Sequence, residues 1–279
     1  MQPPYHSNRA APRSLNRALR GSIRELRGWW WLLPLAWVAT PSRFPPRQGL
    51  VSIKNRVLNI RLRSGGLIQL KAKEFNGVLD VFCLEDYDFP EIKWDESKSV
   101  VDIGASIGLF MLWHSRLNQH ARYLAIEPSK EMFQLLEHNV EVNQLGERVS
   151  TMNAAVGASD GLANIEIDER TGMAQLVSLG GTSTEVVLSI SFAGVIEKCG
   201  GHVDLMKIDC EGAEYEFFGA ARNADLVKCA SIVGEYHPAP ASIQDSLFED
   251  LARGGFQYKK VVIESTPSGE LGLFCAWRD

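Results

Sequence analysis

Residues 99–109 read SVVDIGASIGL, a short apolar run that ends in an acid and is followed by two glycines four positions apart. The run has the length and the β-branched content of a buried strand. Gly104 and Gly108 allow a sharp turn after the strand and let a ligand approach the backbone. A helix after the turn would direct its first N–H groups at that ligand. The stretch therefore predicts a strand, a ligand-binding turn and a helix.

Apolar runs of strand length alternate with helical patterns along the rest of the chain. The predicted strands and helices cover, in chain order, 99–103, 107–119, 122–126, 129–145, 148–152, 203–208, 213–222, 229–234 and 241–253. Such alternation predicts a parallel sheet with helices on both faces. Near the end of the chain, two apolar segments joined by a five-residue turn at 266–270 predict an antiparallel hairpin. We therefore expect an α/β, Rossmann-like fold whose mostly parallel sheet is closed by a C-terminal β-hairpin.

The charge of the chain is distributed unevenly. The first 50 of its 279 residues carry eight Arg, no Lys and one acid, a formal charge of +7, whereas the rest carries 21 basic and 33 acidic residues, a charge of −12. The acidic body argues against nucleic acid as a partner. Five cysteines without metal-binding spacing favour free thiols in a reducing compartment. We expect a cytoplasmic protein.

Residues 9–39 predict a basic amphipathic helix that runs into a tryptophan-rich segment. The apolar part, 29–39, is too short to span a bilayer, which needs about 20 residues. It suits peripheral contact with the inner face of a membrane. Two alternatives stay open, namely packing of the tryptophans on the main domain and a signal peptide.

The sequence divides into three regions. Residues 1–47 form the basic extension and a proline-rich linker, 48–97 a β-hairpin around Gly65 and a cap, and 98–279 the ligand-binding domain. Three aromatic residues of the cap could cover a binding site in that domain: Tyr87, Phe89 and Trp94.

The charge at the glycine turn bears on the kind of cofactor. Asp102 stands two residues before Gly104. A carboxylate about 5 Å from a dinucleotide pyrophosphate would cost roughly 3 kcal/mol at an effective dielectric constant of 20, whereas it would attract the cationic groups of S-adenosylmethionine (SAM). Ser106 also stands where the dinucleotide motif Gly-x-Gly-x-x-Gly has its second glycine. We therefore predict SAM, although the glycine spacing alone is also compatible with simple helix–strand packing.

Two further residues extend the predicted cofactor site. Glu127 ends the next strand, where a carboxylate can accept hydrogen bonds from both hydroxyls of an adenosine ribose, each worth roughly 1.5–3 kcal/mol. Asn153 follows the third strand and is placed to meet the adenine edge. The alternatives are a helix-start acid for Glu127 and a turn residue for Asn153.

Charged residues follow the next two strands of the sheet. Lys207 and Asp209 alternate with apolar residues and therefore share one side of the strand. Glu235 and His237 are likewise two apart at the end of the following strand, so all four should meet at the carboxyl edge of the sheet. Two acids at the start of the intervening helix complete the predicted catalytic set of Lys207, Asp209, Glu211, Glu214, Glu235 and His237.

This set favours a site that holds an acceptor hydroxyl and takes its proton, with His237 or Asp209 as the base. The alternative is a structural ion-pair network. Asp209, Glu235 and His237 could also ligate Mg²⁺ or Mn²⁺, but the sequence does not fix their distances and we predict no metal. Cys210 lies between acids, which raise the pKa of a thiol, so we do not expect it to be a nucleophile.

Five stretches resemble the FkbM family of SAM-dependent methyltransferases: VVDIGASIGLF (100–110), AIEPSKEMFQLLEHNVEVN (125–143), AAVGASDG (154–161), DLMKIDCEGAE (204–214) and EYH (235–237). The resemblance covers roughly residues 55–278. It implies the class I methyltransferase fold and O-methylation of a hydroxyl on a sugar, glycolipid or natural product.

The resemblance also implies roles for individual residues. It assigns the cofactor to Asp102, Gly104, Ala105, Gly108 and Glu127, and the acceptor to Lys207, Asp209, Glu211, Glu214 and His237. Two positions depart from the family pattern: Ser106, where Asn is usual and which we keep in the cofactor site, and Ser191, near a place where an acid is common. The alternatives to an O-methyltransferase are an NAD(P)-dependent oxidoreductase and a non-catalytic SAM-binding scaffold.

Overall fold

The structure is a computed structural model that describes residues 51–54, 57–62, 66–71, 74, 77–78, 80–84, 87–167, 174–176 and 184–278. The predicted extension at 1–47, with its membrane contact, lies outside the described residues. Within the described part of the chain, no helix is long and apolar enough to cross a membrane.

Fourteen strands and six α-helices make up the described chain, with a π-helical turn at Asp80–Leu84. They are β1 Val51–Lys54, β2 Val57–Arg61, β3 Leu67–Lys71, β4 Ser99–Ile103, α1 Leu109–Leu117, β5 Arg122–Ile126, α2 Lys130–Val142, β6 Val149–Met152, β7 Ala154–Val156, β8 Gly161–Ile167, β9 Ala174–Leu176, β10 Thr184–Ile190, α3 Phe192–Lys198, β11 Val203–Ile208, α4 Glu214–Gly219, α5 Asn223–Leu226, β12 Cys229–Tyr236, α6 Ala241–Arg253, β13 Gln257–Thr266 and β14 Gly269–Trp277.

Seven strands form the central sheet in the order β13-β14-β12-β11-β4-β5-β6. The five strands from β12 to β6 are parallel to their neighbours, whereas β14 pairs antiparallel with both β12 and β13. The predicted Rossmann-like, class I methyltransferase arrangement is therefore confirmed. The chain leaves β4 toward one side of the sheet and returns through β11 on the other, so the carboxyl ends of these two strands form the switch point where ligands bind.

The C-terminal hairpin has a shorter turn than we predicted. Thr266 pairs with Gly269, so the strands extend into the predicted five-residue turn and leave two residues, 267 and 268, between them. A two-residue connection matches the twist of the paired strands better than a long one.

The sheet is buried on both faces, and alternate residues of a strand enter different cores. Val100 and Leu205 pack in one core with α1, α2 and the N-terminal strands, whereas Val101 and Met206 pack in the other with α3, α4 and α6. Asp102 and Lys207 share the side of Val100 and Leu205 because side chains alternate along a strand. Asp102 and Lys207 are thus two charged residues on a side of the sheet that they share with apolar side chains.

Helix boundaries differ from the predicted ranges in three helices. Helix α1 begins at Leu109 because Gly108 has a left-handed backbone with φ of 87°. Helix α2 ends at Val142, and Asn143 caps it. The predicted helix at 213–222 contains only α4, which ends at Gly219, and a separate short helix, α5, follows after residues 220–222.

The N-terminal strands form a small antiparallel sheet in the order β1-β2-β3. Strands β2 and β3 are the predicted hairpin, although its turn at 63–65 lies outside the described residues. One side chain of α2 and the side chain of the residue that caps it hydrogen-bond to the outer edge of β3, as a neighbouring strand would. Asn139 accepts from Gln69 N at 2.7 Å, and Asn143 accepts from Leu67 N at 2.8 Å. These bonds attach the small sheet to the main domain.

The sequence analysis missed a second sheet, which has the order β7-β10-β8-β9. Its strands follow β6 directly, and several of its residues are exposed, so the pattern of a buried strand is absent.

Ser191, one of the two departures from the family pattern, lies at the end of this sheet. Its hydroxyl caps α3 by accepting from Gly194 N at 3.1 Å, and its own N–H donates to Asp160 at 2.7 Å.

Candidate active site

A cavity of about 600 Å³ lies at the carboxyl edge of the central strands. This volume is in the range of small-molecule sites. On one side the cavity is lined by the glycine turn after β4 and by Glu127 after β5. On the other side it is lined by Lys207 and Asp209 of the β11 end and by Glu235 and His237 of the β12 end. We call these sides the cofactor half and the acceptor half.

The glycine turn is held against the neighbouring strand end. Gly104 has φ of 65°, and a Cβ atom there would lie 1.6 Å from the carbonyl oxygen of Asp209. Ala105 N donates to the carbonyl of Ile126 at 3.0 Å, which fixes the turn on β5 as well. Gly104, Ala105 and Ser106 line the cavity. A side chain at Gly104 is therefore incompatible with the described backbone.

Gly108 has a packing role in this structure. Its φ is 87°, and a Cβ atom there would lie 2.8 Å from the Leu136 side chain. Gly108 is not among the cavity-lining residues. The structure thus shows close packing between the start of α1 and α2 at this glycine, and its predicted contact with the cofactor stays a prediction.

Glu127 is anchored by two backbone groups. One carboxylate oxygen accepts from Ser106 N and the other from Ser129 N, both at 2.8 Å. The side chain borders the cavity and is otherwise buried, which raises its pKa to about 7 even though the two N–H groups oppose the shift. A carboxylate has about four acceptor positions, so two remain for the hydroxyls of a ribose.

Two predicted cofactor residues lie elsewhere. Asp102 is fully buried beneath Lys207, with 3.4 Å between its Oδ1 and Nζ, and is not among the cavity-lining residues. The amide nitrogen of Asn153 donates to the carbonyls of Glu127 and Pro128 at 2.8 and 3.0 Å. Asp102 therefore does not meet a cofactor cation directly, and Asn153 orders the loop that presents Glu127. Its predicted adenine contact stays a prediction.

Lys207 links the two halves of the cavity. Its ammonium donates to the carbonyl of Gly104 at 2.9 Å and lies 3.6 Å from Asp209 Oδ2. Burial opposes its charge, but Asp209 and Asp102 hold the pKa of the ammonium above its ordinary value. The lysine therefore stays charged and binds the glycine turn to the acceptor half.

Tyr87 is a site residue that the sequence suggested only as part of a cover. Its hydroxyl lies 3.3 Å from Asp209 Oδ2 and 3.4 Å from Glu235 Oε1. It lines the cavity, whereas Phe89 and Trp94 do not. Trp94 packs edge-on against Trp113, 5.0 Å between ring centroids. Nothing in the spacing of the cap identifies Tyr87, because its partners are more than 120 residues away.

His237 is surrounded by three carboxylates. Its Nδ1 lies 3.1 Å from Glu214 Oε1, and its Nε2 lies 3.5 Å from Glu211 Oε2 and 3.7 Å from Asp209 Oδ1. Burial opposes a positive charge, but the hydrogen bond and charge of Glu214, with the charges of Asp209 and Glu211, raise the pKa of His237 to about 10. The raised pKa favours the protonated imidazole near neutral pH. This state is unsuited to the predicted role of base.

Glu214 is fully buried and does not line the cavity. Its Oε1 accepts from both Nδ1 and the backbone N of His237, and its Oε2 accepts from Gly212 N at 2.9 Å. Glu214 therefore positions His237, whereas the sequence placed it in the catalytic set.

The described cysteines agree with the predicted free thiols, because Cys199, Cys210, Cys229 and Cys275 are unpaired by disulfides. The side chain of Cys83 lies outside the described residues. Burial and the neighbouring acids raise the pKa of the Cys210 thiol, which disfavours the thiolate that a nucleophile needs.

Comparison with known proteins gives one family and several solved structures. The family described as "Methyltransferase FkbM domain" matches residues 102–258. A precorrin-6y C5,15-methyltransferase from Geobacter metallireducens is similar at 12% identity, over 67% of this chain and 85% of that chain, with a TM-score of 0.42. An O-methyltransferase from Bacillus cereus in complex with SAH is similar at 14% identity, over 66% and 74%, with a TM-score of 0.41. Comparison with curated proteins gave no match.

Proposed function

The chain belongs to the FkbM family of methyltransferases, whose cofactor is SAM, and we propose that it methylates a hydroxyl of a sugar, glycolipid or natural product. The matched residues make up more than half of the chain. Membership of a methyltransferase family favours methyl transfer over the hydride transfer of an oxidoreductase. The observation that carries the choice of a hydroxyl is the carboxylate-rich acceptor half, which can hold a hydroxyl and take its proton.

The residues of the cofactor half fit SAM. Gly104 allows a ligand close to the backbone, and Glu127 offers two acceptor positions at the place expected for a ribose. When bound, SAM supplies a methyl group that its sulfonium has already activated. The chain therefore has to align an acceptor oxygen with that methyl group and to remove one proton.

In the proposed reaction, an acceptor oxygen forms a bond to the methyl carbon while the carbon–sulfur bond breaks. The products are a methyl ether and S-adenosylhomocysteine, and the hydroxyl proton passes to Glu235. This carboxylate lines the cavity at the end of β12, where Tyr87 orients its Oε1. Proton transfer to a positioned carboxylate contributes roughly 10²–10⁴-fold to a rate.

The geometry supports Glu235 over the two bases that the sequence predicted. Both nitrogens of His237 face carboxylates. Both oxygens of Asp209 face cationic side chains, Oδ1 toward His237 and Oδ2 toward Lys207. Both oxygens of Asp209 are thus already engaged by neighbouring side chains, so we assign Asp209 to orienting the acceptor.

A methyl-transfer assay tests the proposal. SAM with an isotopically labelled methyl group is incubated with the protein and a panel of sugars, glycolipids and hydroxylated natural products. We expect labelled methyl ethers with the wild type, a loss of about 10²–10⁴-fold with Glu235→Gln, and no loss with Glu264→Gln, a matched change at an exposed residue. Label on an amine instead would refute O-methylation. S-adenosylhomocysteine binding without any transfer would favour the non-catalytic scaffold.

The predicted membrane contact remains a separate proposal. Residues 9–39 would hold the protein near lipid-linked acceptors. Deleting residues 1–40 should then reduce partition onto anionic vesicles while S-adenosylhomocysteine binding stays the same. Unchanged partition would exclude this role.

A further inference from the structure

We propose that Asp209, Glu211 and His237 bind one divalent cation, Mg²⁺ or Mn²⁺, in the acceptor half of the cavity. One ligand atom of each residue lies within 4.8 Å of the ligand atoms of the other two. All three residues line the cavity. The set differs from the one considered from sequence, because Glu211 takes the place of Glu235.

The separations suit a cation between the three side chains. His237 Nε2 lies 3.5 Å from Glu211 Oε2 and 3.7 Å from Asp209 Oδ1. At metal–ligand distances of about 2.1 Å, donors at neighbouring octahedral positions are about 3.0 Å apart and opposite donors about 4.2 Å apart. Carboxylate oxygens with one imidazole are ligands that Mg²⁺ and Mn²⁺ accept.

Glu214 prepares His237 for this role. Its fully buried carboxylate accepts from Nδ1, and an ionised carboxylate can only accept, so the ring proton of the neutral imidazole is on Nδ1. The lone pair of Nε2 is then directed at Asp209 and Glu211. Nε2 has no hydrogen-bond partner among the described residues, although the His237 side chain is only 12% exposed. A carboxylate that orients a histidine from behind is the usual support of a metal ligand.

The charge around His237 also favours a cation. Asp209, Glu211 and Glu214 surround the ring, and Lys207 lies beside the other oxygen of Asp209, Oδ2. Three carboxylates so close together favour a cation at the place that Nε2 faces. A metal ion there would be held by the unprotonated nitrogen of the ring.

The role of the cation rests on the proposed function. Three protein ligands leave three positions of an octahedral ion open, enough for two neighbouring oxygens of an acceptor. A hydroxyl on a divalent cation loses its proton more readily, and Glu235, which lies outside the ligand set, is the base to which the proposed function assigns that proton. The site therefore favours acceptors with vicinal oxygens, such as a sugar diol.

Mn²⁺ binding tests the proposal without an acceptor or turnover. Free Mn²⁺ is measured by electron paramagnetic resonance during titration of the full chain with MnCl₂. We expect one saturable site in the wild type, unchanged in the exposed control Glu216→Gln and lost in Glu211→Gln and His237→Gln. Glu214→Gln should weaken Mn²⁺ binding by roughly 10–100-fold, as expected for a residue behind a metal ligand.

S-adenosylhomocysteine titration of each variant reports whether the fold is intact. If Glu211→Gln or His237→Gln fails that check, Asp209→Asn decides in its place. No saturable Mn²⁺ site in the wild type, or the same site in the ligand variants as in Glu216→Gln, would overturn the proposal. Mn²⁺ binding is measured without SAM or an acceptor. The titration therefore tests the metal site even if the methyl-transfer assay shows no activity.

Discussion

The two halves of the cavity differ in the groups that line them, which are mainly backbone in one half and charged side chains in the other. The cofactor half is made mainly of backbone, a glycine turn whose N–H groups hold Glu127 and bind β5. The acceptor half is made of charged side chains that come from β11, β12, the loop between them and the cap. The geometry of a site made of backbone depends on the local conformation of the chain. The geometry of a site made of charged side chains depends on which of those side chains contact one another. Substitutions should therefore affect the two halves in different ways.

Gly104→Ala should have the largest effect of the substitutions considered, because it disrupts the glycine turn of the cofactor half. The added Cβ would lie 1.6 Å from the carbonyl oxygen of Asp209, so the turn has to leave β11. We expect loss of S-adenosylhomocysteine binding and a large drop in the melting temperature. Gly146→Ala is the matched control, since no atom lies within 4 Å of a Cβ atom at that position. Wild-type binding by Gly104→Ala would show that the described turn is wrong.

Lys207→Met should come next and affects both halves. It removes the cation that lies beside Asp102 and Asp209 and leaves a buried carboxylate uncompensated. The expected loss in free energy of unfolding is about 3–5 kcal/mol, measured by urea denaturation at neutral pH. Lys259→Met changes a half-exposed lysine and should stay within about 0.5 kcal/mol of the wild type. A similar small effect at Lys207 would contradict its assigned link.

Glu127→Gln should weaken S-adenosylhomocysteine binding by about tenfold to a hundredfold, the value of one charged hydrogen bond. Acceptance of the ribose hydroxyls needs the ionised carboxylate, and the pKa of Glu127 is raised to about 7. Wild-type affinity should therefore fall as the pH decreases through about 7 and level off above it. Affinity that is independent of pH in the wild type would argue against the ribose contact. The exposed Glu137→Gln serves as control for both measurements.

Ser106→Asn should have the smallest effect, a slight gain in the stability of the turn in the cofactor half. Ser106 has φ of 49°, a left-handed conformation that Asn tolerates better than Ser. We expect up to about 1 kcal/mol of added stability, seen as a small rise in melting temperature. A decrease would mean that the serine hydroxyl has a role that the structure does not show.

The sequence predicted more of the cofactor half than of the acceptor half. The cofactor half depends on local patterns, whereas the acceptor half depends on contacts between distant segments. Strand and turn positions around Gly104 follow from local patterns, so the order of the parallel strands and the place of Glu127 were predictable. The charged residues that line the acceptor half were also predicted to meet at this edge of the sheet, but their partners were not. Pairing of Tyr87 with Asp209 and Glu235, and the position of Glu214 behind His237, depend on contacts between distant segments.

The second sheet could not be predicted because its strands lack a buried alternation. Asp102 shows a different limit. Its position before the glycine turn suggested contact with the cofactor, yet side-chain alternation places it under Lys207 on the next strand. A charged residue at the end of a strand can therefore serve the site through a neighbour.

A calorimetric titration with S-adenosylhomocysteine, with NADH alongside, tests the central claim most directly. It compares the wild type with Glu127→Ala and Glu235→Gln, one change in each half. The account predicts S-adenosylhomocysteine binding by the wild type and by Glu235→Gln, its loss in Glu127→Ala, and no binding of NADH. Binding of NADH in its place, or equal loss in both variants, would contradict a SAM site in the cofactor half that is separate from the acceptor half.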